Sequence, residues 1–337
     1  MDWRSAMKKV LYGVLGLLVV ILIVFAVKVV QVERGRDRVQ DEIKSKTFPK
    51  ISPFDSVKKL SILPLVDYYG EGKDIKTEPG VSYLIKADDT VILMDAGYNE
   101  KKEHPSPLIS NMKTLGVKPE DIGMIFITHL HPDHLGGNEE FNDHTFSLSH
   151  GPVKLKPVTV HAPAEVSPSK WNPGPKIEVI KEPHVLRPGI ASIGVIPRYL
   201  FLMGYTEEQS LAINVQGKGI VLIIGCGHQT VERIVERARM LFSEPIYAVI
   251  GGLHFPVNGG RIFMGPVNVQ WLVGSDNPPW KGLGEDDVRR GIEALKAVNP
   301  AVVSLSPHDS SDWSLEQFRK SFGKKFVELK AGRELNL

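Results

Sequence analysis

The sequence predicts an α/β fold, with sheets covered by helices, behind one apolar N-terminal helix. Three observations carry that prediction. Short apolar runs bounded by turn residues recur along residues 61–304. Helical patterns fall between the later runs, and an uncharged stretch near the N-terminus is long enough to cross a bilayer. The 337 residues, 42% hydrophobic and 24% charged, have the balance of a globular chain, which excludes a disordered, collagen-like or multi-span protein. Forty-one Lys and Arg against 39 Asp and Glu leave a net charge of +2, so no nucleic-acid surface is expected. Cys226 is the single cysteine, which rules out an intrachain disulfide and a Cys-rich zinc module.

Residues 1–9 form a short basic tail with Arg4, Lys8 and Lys9. Residues 10–27 carry no charge, and Val29 and Val30 follow Lys28, so the predicted span is 10–30. At about 1.5 Å per residue, 18 helical residues cover about 27 Å, close to the hydrocarbon thickness of a bilayer. The run exceeds a secretory h-region and no A-x-A pattern follows it, which reads as an uncleaved single-pass anchor. A short basic tail before a first helix stays inside, which places the main domain on the extracytoplasmic side. Residues 31–60 are polar and of mixed charge, a juxtamembrane linker or short helix leading into one domain over 61–337.

Within that domain, strands are expected at 61–66, 81–85, 91–94, 124–127, 158–160, 211–215, 220–224, 246–250 and 301–304. Helices are expected at 230–242, where Val231, Ile234, Val235, Ala238 and Leu241 share a face, and at 286–298, with acids in its first turn. Two irregular segments, 163–175 and 258–284, are rich in Pro or Gly and read as binding loops or packed excursions. Their tryptophans, Trp171, Trp271 and Trp280, hint at an organic, partly apolar substrate.

The chemistry lies in residues 124–137, MIFITHLHPDHLGG, where an apolar strand runs into His129, His131, Asp133 and His134. Residues two apart on an extended chain point the same way, so His129 and His131 can share a metal, while Asp133 and His134 face a neighbouring point after Pro132. Imidazole nitrogens and a carboxylate oxygen are ligands accepted by Zn2+, and also by Mn2+ or iron. His228, His254 and His308 stand just past other strand ends, where ligands gather in open α/β sheets. His104, His144, His150, His161 and His184 lack that context and are read as structural or solvent-facing, with His161 a reserve candidate.

The H-x-H-x-D-H run resembles the signature of the metallo-β-lactamase superfamily. VILMDAG (91–97) is similar to that superfamily's early strand ending in an acid, here Asp95. GCGHQT, GGLHF and SLSPHDSS resemble later blocks of its dihydropterin/ribofuranosylaminobenzene 5'-phosphate synthase-like branch. The resemblance implies an αββα sandwich with a site for one or two metal ions at one edge. His129, His131 and a later histidine would hold one ion, and Asp133, His134 and His308 the other, with Asp95 bracing the metal loop. Where an acid commonly bridges the two ions, this chain has Cys226, with His228 two residues on; His228 is the favoured bridge and a Cys226 thiolate the alternative. The implied activity is a hydrolase with a zinc-bound hydroxide acting on an ester-type or phosphoester-type small molecule. Asp133 would orient that hydroxide, and His254 would donate to an oxyanion or anchor substrate. The alternative the branch allows is a synthase on the same metal site. A redox diiron site is disfavoured, because that version carries Glu where this chain has His131.

Overall fold

The computed structural model describes residues 3–337; Met1 and Asp2 of the expected tail lie outside them. Two sheets face each other. One runs Leu335–Asn336, Leu60–Val66, Ser82–Ala87, Thr90–Met94, Met124–Phe126, Thr159–Ala162 and Lys176–Val179 in spatial order. The other runs Val302–Val303, Ile246–Gly251, Gly219–Ile224, Leu211–Val215, Ile190–Ser192 and His184–Arg187.

Each strand has two sides, and the apolar residues of both are buried, which makes a four-layer stack. Ile62, Ile85, Ile92, Met94, Met124 and Phe126 meet Ile213, Val221, Ile223, Ala248 and Ile250 between the sheets. The alternate residues Leu63, Leu65, Leu93, Ile125 and Ile127 pack outward on Leu108 and Met112 of the helix Pro107–Thr114. Leu222, Ile224 and Val249 pack outward on three helices, Val231–Leu241, Glu285–Val298 and Asp312–Phe322. This is the expected αββα sandwich. Every strand expected from sequence forms, with ends shifted by a residue or two. Pairing is antiparallel among the first strands of the first sheet and parallel from Thr90–Met94 onward. Ile246–Gly251 pairs in parallel with both Gly219–Ile224 and Val302–Val303. Parallel strands end on the same side, so their following loops, which carry the histidines, converge on one edge.

The first helix, α1 (Trp3–Ser45), is longer than expected. It does not stop at residue 30; the polar segment read as a linker or short helix continues it unbroken to Ser45. The reason is a second pattern hidden under the charges. Val32, Gly35 and Val39 lie on one face and are buried against the hairpin Ile196–Leu200/Gly204–Glu208. Gly35 rests on the Tyr199 ring so closely that a Cβ would collide with it. Residues 7–28 of α1 are exposed, and this stretch is apolar enough, by length and composition, to cross a membrane.

Candidate metal centre

The strand Met124–Phe126 delivers buried Ile127 and Thr128, then His129. Pro132 opens a one-turn helix, Pro132–Leu135, with His131 at its N-cap, and Gly136 closes it in a left-handed conformation. That turn swings Asp133 and His134 to the far side of His129, whose ring centroid lies 4.5 Å from His131 and 4.0 Å from His134. From the second sheet, Gly219–Ile224 leads into Cys226, Gly227 and His228; Ile246–Gly251 leads to His254; and Val302–Val303 leads to His308.

Two clusters form side by side. The ligand atoms of His129, His131 and His228 lie within 4.8 Å of one another, as do those of Asp133, His134, Cys226 and His308. His228 thus stands beside His129 and His131, where the sequence left a later histidine open. A third group, Cys226, His228 and His254, overlaps both, so the position between the clusters falls to Cys226 while His228 sits with His129 and His131. His104, His144, His150, His161 and His184 take no part in these groups. His161, the reserve candidate, faces Glu178 instead.

Hydrogen bonds fix how the rings present themselves. Asp95 accepts from the Thr128 backbone N–H (2.8 Å), the Thr128 hydroxyl (2.7 Å) and His134 Nδ1 (2.7 Å), which ties Thr128 to the His134 ring. With its hydroxyl hydrogen committed to Asp95, Thr128 Oγ1 accepts from His129 Nδ1 at 3.1 Å, which leaves His129 Nε2 as a lone pair facing the cluster. The Ser306 hydroxyl donates to Asp67 (2.7 Å) and so accepts from His308 Nδ1 (2.6 Å), turning His308 Nε2 toward Cys226 Sγ at 3.3 Å. His134 Nε2 lies 3.0 Å from the same sulfur. His254 Nε2 donates to the Gln270 carbonyl, and Gly274 is required beside that ring because a Cβ there would overlap it. His129 Nε2, both ring nitrogens of His228 and His254 Nδ1 are buried without a hydrogen-bond partner. Buried imidazole nitrogens are costly to leave unpaired, and several aimed at one point fit a cation that supplies the missing partner.

Electrostatics divides the two clusters. Burial pushes His129, His228 and His308 well below the usual imidazole range and His131 down to about 4, so these rings are neutral and able to ligate. His254 falls to about 4 for the same reason. Burial also opposes the His134 charge, but Asp95 and Asp133 outweigh it and raise His134 to about 10. Burial would raise the Asp133 carboxyl, yet the His134 charge holds it well below the carboxylate range. Burial, reinforced by Asp133 and Asp309, pushes the Cys226 thiol far up. A cation bound between these groups reverses that balance for the thiol.

Several residues that hold the site escaped the sequence reading. Glu208 accepts from the backbone N–H groups of Cys226 (3.1 Å), Gly227 (2.8 Å) and His228 (2.7 Å), fixing the whole turn; burial raises it to about 7 against those three donors. Gln209 ties the Ile127 carbonyl at 2.9 Å, and Asp309 accepts from the His254 N–H. Glu208 ends a strand and Gln209 and Asp309 lie in loops, and no spacing marks any of them. The mouth is a cavity of about 160 Å³ lined by His131, Asp133, Cys226, His228, His254, Tyr98, Asn138, Met203, Ile262, Val269, Gln270 and Val273, with Pro132 at its edge. The tryptophans expected to meet substrate do not line it. Trp171 lies by His150, Trp271 packs on the helical layer, and Trp280 stands exposed against α1. Its apolar wall comes from aliphatic side chains of the 258–284 segment and from Met203 instead.

A four-layer sandwich with a poly-histidine, Asp and Cys centre at the ends of its strands defines a class of metal-site proteins. The chain belongs to the metallo-beta-lactamase superfamily, whose sequence profile matches residues 75–261. It is 26% identical over 317 residues to the 7,8-dihydropterin-6-methyl-4-(beta-D-ribofuranosyl)-aminobenzene-5'-phosphate synthase of Methanocaldococcus jannaschii, covering 84% of this chain and 97% of that one. It is 26% identical over 165 residues to an N-acyl homoserine lactonase of Bacillus cereus, covering 42% of this chain and 60% of that one. Among solved structures, a metal-dependent hydrolase of the beta-lactamase superfamily superposes with a TM-score of 0.55 at 19% identity, over 82% of this chain and 99% of that one.

Proposed function

We propose that the protein is a membrane-anchored, metal-dependent hydrolase of an ester-type or phosphoester-type small molecule. The observation that carries this reading is the convergence of unpartnered, neutral imidazole nitrogens from His129 and His228 on the point that His131 also faces. His129, His131 and His228 would hold one Zn2+, and Asp133, His134 and His308 a second, with Cys226 between them; Mn2+ or iron suits the same donors. When bound, the metal supplies Lewis acidity, which makes water a nucleophile near neutral pH and polarises the scissile group.

The chain's own residues do the rest. Asp133 reaches the mouth and accepts a hydrogen bond from the attacking water, orienting it. Asp95 holds His134 by Nδ1 and keeps its Nε2 turned inward. His254, its Nε2 hydrogen used by Gln270, presents Nδ1 as an acceptor; in this tautomer it steadies a substrate donor or adds a ligand rather than stabilising an oxyanion. Met203, Ile262, Val269 and Val273 give the mouth an apolar wall that excludes water.

Residues 10–30 would span the bilayer with the catalytic domain on the extracytoplasmic side; a protease-accessible domain in sealed, right-side-out vesicles checks this. A second reading, bond formation by a synthase, is favoured by the near full-length match to the archaeal synthase. Elemental analysis of the full chain in detergent, with an ester, phosphoester and lactone panel, tests the hydrolase. Bound zinc and turnover that His131→Ala removes are expected. A metal-free protein, or an unaffected variant, refutes it, and condensation product without hydrolysis selects the synthase.

A further inference from the structure

The apolar run of α1 and the mouth of the metal centre are joined through two loops. Phe25 lies in the last turn of the uncharged run, two residues before Val27. Its ring centroid stands 6.2 Å from Phe201 and 5.6 Å from Trp280. Two residues after Phe201, Met203 lines the cavity, and the segment that carries Trp280 also supplies Ile262, Val269 and Val273 to it. Both loops that wall the mouth therefore touch α1 at the level where its hydrocarbon-spanning part ends.

Several contacts set the placement. Beyond Phe25, α1 is held to the domain by buried Val32 and Val39, by Gly35 on Tyr199, and by a hydrogen bond from Tyr205 to Glu42 at 2.8 Å. The loops are apolar at their tips. Leu202 is 48% exposed, Trp280 66%, Phe263 55% and Met264 71%, the last two on a hairpin turned by Gly265. Large exposed apolar side chains grouped around one opening mark a surface that is covered in use. Trp280 against Phe25, with Lys28 one turn further along α1, has the makeup of a membrane-interface contact.

We infer that the loops 201–203 and 258–284 dip into the bilayer surface and open the cavity to it, so that the substrate is a membrane-resident amphiphile, its hydrolysable head at the metal centre and its apolar chain against Ile262, Val269 and Val273. This rests on the anchor reading given above and deepens it. The covering partner is a lipid surface because the helix that enters that surface is the element the loops touch. A soluble substrate would not need an apolar rim at the height of the hydrocarbon boundary.

The test uses the full chain in phosphatidylcholine/phosphatidylglycerol vesicles doped with a phosphatidylcholine whose acyl chain ends in a diazirine. After irradiation, adducts are mapped by mass spectrometry. Adducts are expected on α1 within residues 10–27, on Leu202, Phe263 and Met264, and on Ile262 or Val273 inside the mouth. Adducts on α1 alone overturn the inference and leave the anchor standing. Adducts on the loop tips with none at Ile262 or Val273 overturn entry of the chain into the cavity. No adduct on α1 overturns the anchor and this inference with it. In a Met264→Asp/Trp280→Asp variant, loop adducts should fall about tenfold or more, since carboxylates resist the apolar layer, while α1 adducts persist. Undiminished loop adducts in that variant overturn the inference.

Discussion

The two halves of the metal centre are built from the same strand-end logic and prepared in opposite ways. His129, His131 and His228 are neutral, and His129 Nε2 and both nitrogens of His228 have no partner. Asp133, His134, Cys226 and His308 already bond to one another, and a charge on His134 is matched by Asp95 and Asp133. The first cluster asks only for a cation. The second must give up protons from His134 and Cys226 to take one, so its occupancy rises more steeply with pH.

The largest effect breaks the first cluster. His131→Ala is expected to bring turnover to background and remove at least one metal equivalent, read by elemental analysis beside a rate assay. Asp95→Ala comes next and strikes the second. It leaves a buried His134 charge without its main partner, a loss of about 3–5 kcal/mol by the usual measure of a broken buried pair. Denaturant unfolding of the metal-free protein should show it, and Asp95→Asn should recover part of the loss. Cys226→Ser sharpens the comparison. The second metal should bind more weakly while the first stays, seen as one retained equivalent in a chelator titration. Ser306→Ala frees His308 to rotate and should weaken metal affinity by about 10-fold, the low end for a residue that orients a ligand.

The smallest effect is a pH dependence behind the first cluster. Arg198 donates to the His228 carbonyl at 3.0 Å and pairs with Asp276 at 2.9 Å. Burial raises the Asp276 carboxyl, but the Arg198 charge prevails and the net shift is downward from 3.8. A lowered carboxylate stabilises the fold above its ordinary value and loses that contribution as pH falls through the lowered one. The Tm difference between the metal-free wild-type chain and Asp276→Asn should therefore shrink as pH is taken from 5 toward 2.5. A constant difference shows that the Arg198–Asp276 charge pair adds no pH-dependent stability.

How much of this was legible in the chain follows from which signals are local. The H-x-H-x-D-H run declares itself because a strand and a proline turn fix the directions of its side chains within six residues. His228, His254 and His308 were visible as histidines after apolar runs and in blocks that resemble the family's, and Cys226 was visible only as the second choice for the position between the clusters, behind His228. Glu208 and Asp67 gave no signal. A buried acid that accepts backbone N–H groups looks in sequence like any loop acid, and its partners are brought to it by pairing of distant strands. The tryptophans misled in the other direction, since aromatic residues in irregular segments pack on cores and helices as readily as on ligands.

The charged stretch after residue 30 is the other instructive case. Its composition reads as solvated, and only four small or β-branched residues, Val32, Gly35, Val39 and Ile43, mark a face at helical spacing. Against the Tyr199 hairpin that thin stripe is enough to carry α1 onto the domain.

By itself the sequence determined the strand and helix pattern, the apolar N-terminal run and the metal-ligating residue types of its central motif, because each depends on side chains within a few residues of one another. Tertiary structure decided that His228 joins His129 and His131, that Cys226 rather than His228 stands between the clusters, and that the apolar N-terminal helix touches the loops of the mouth. Those outcomes depend on sheet order and parallel register, which set contacts across a hundred residues or more and leave no periodic trace in the chain.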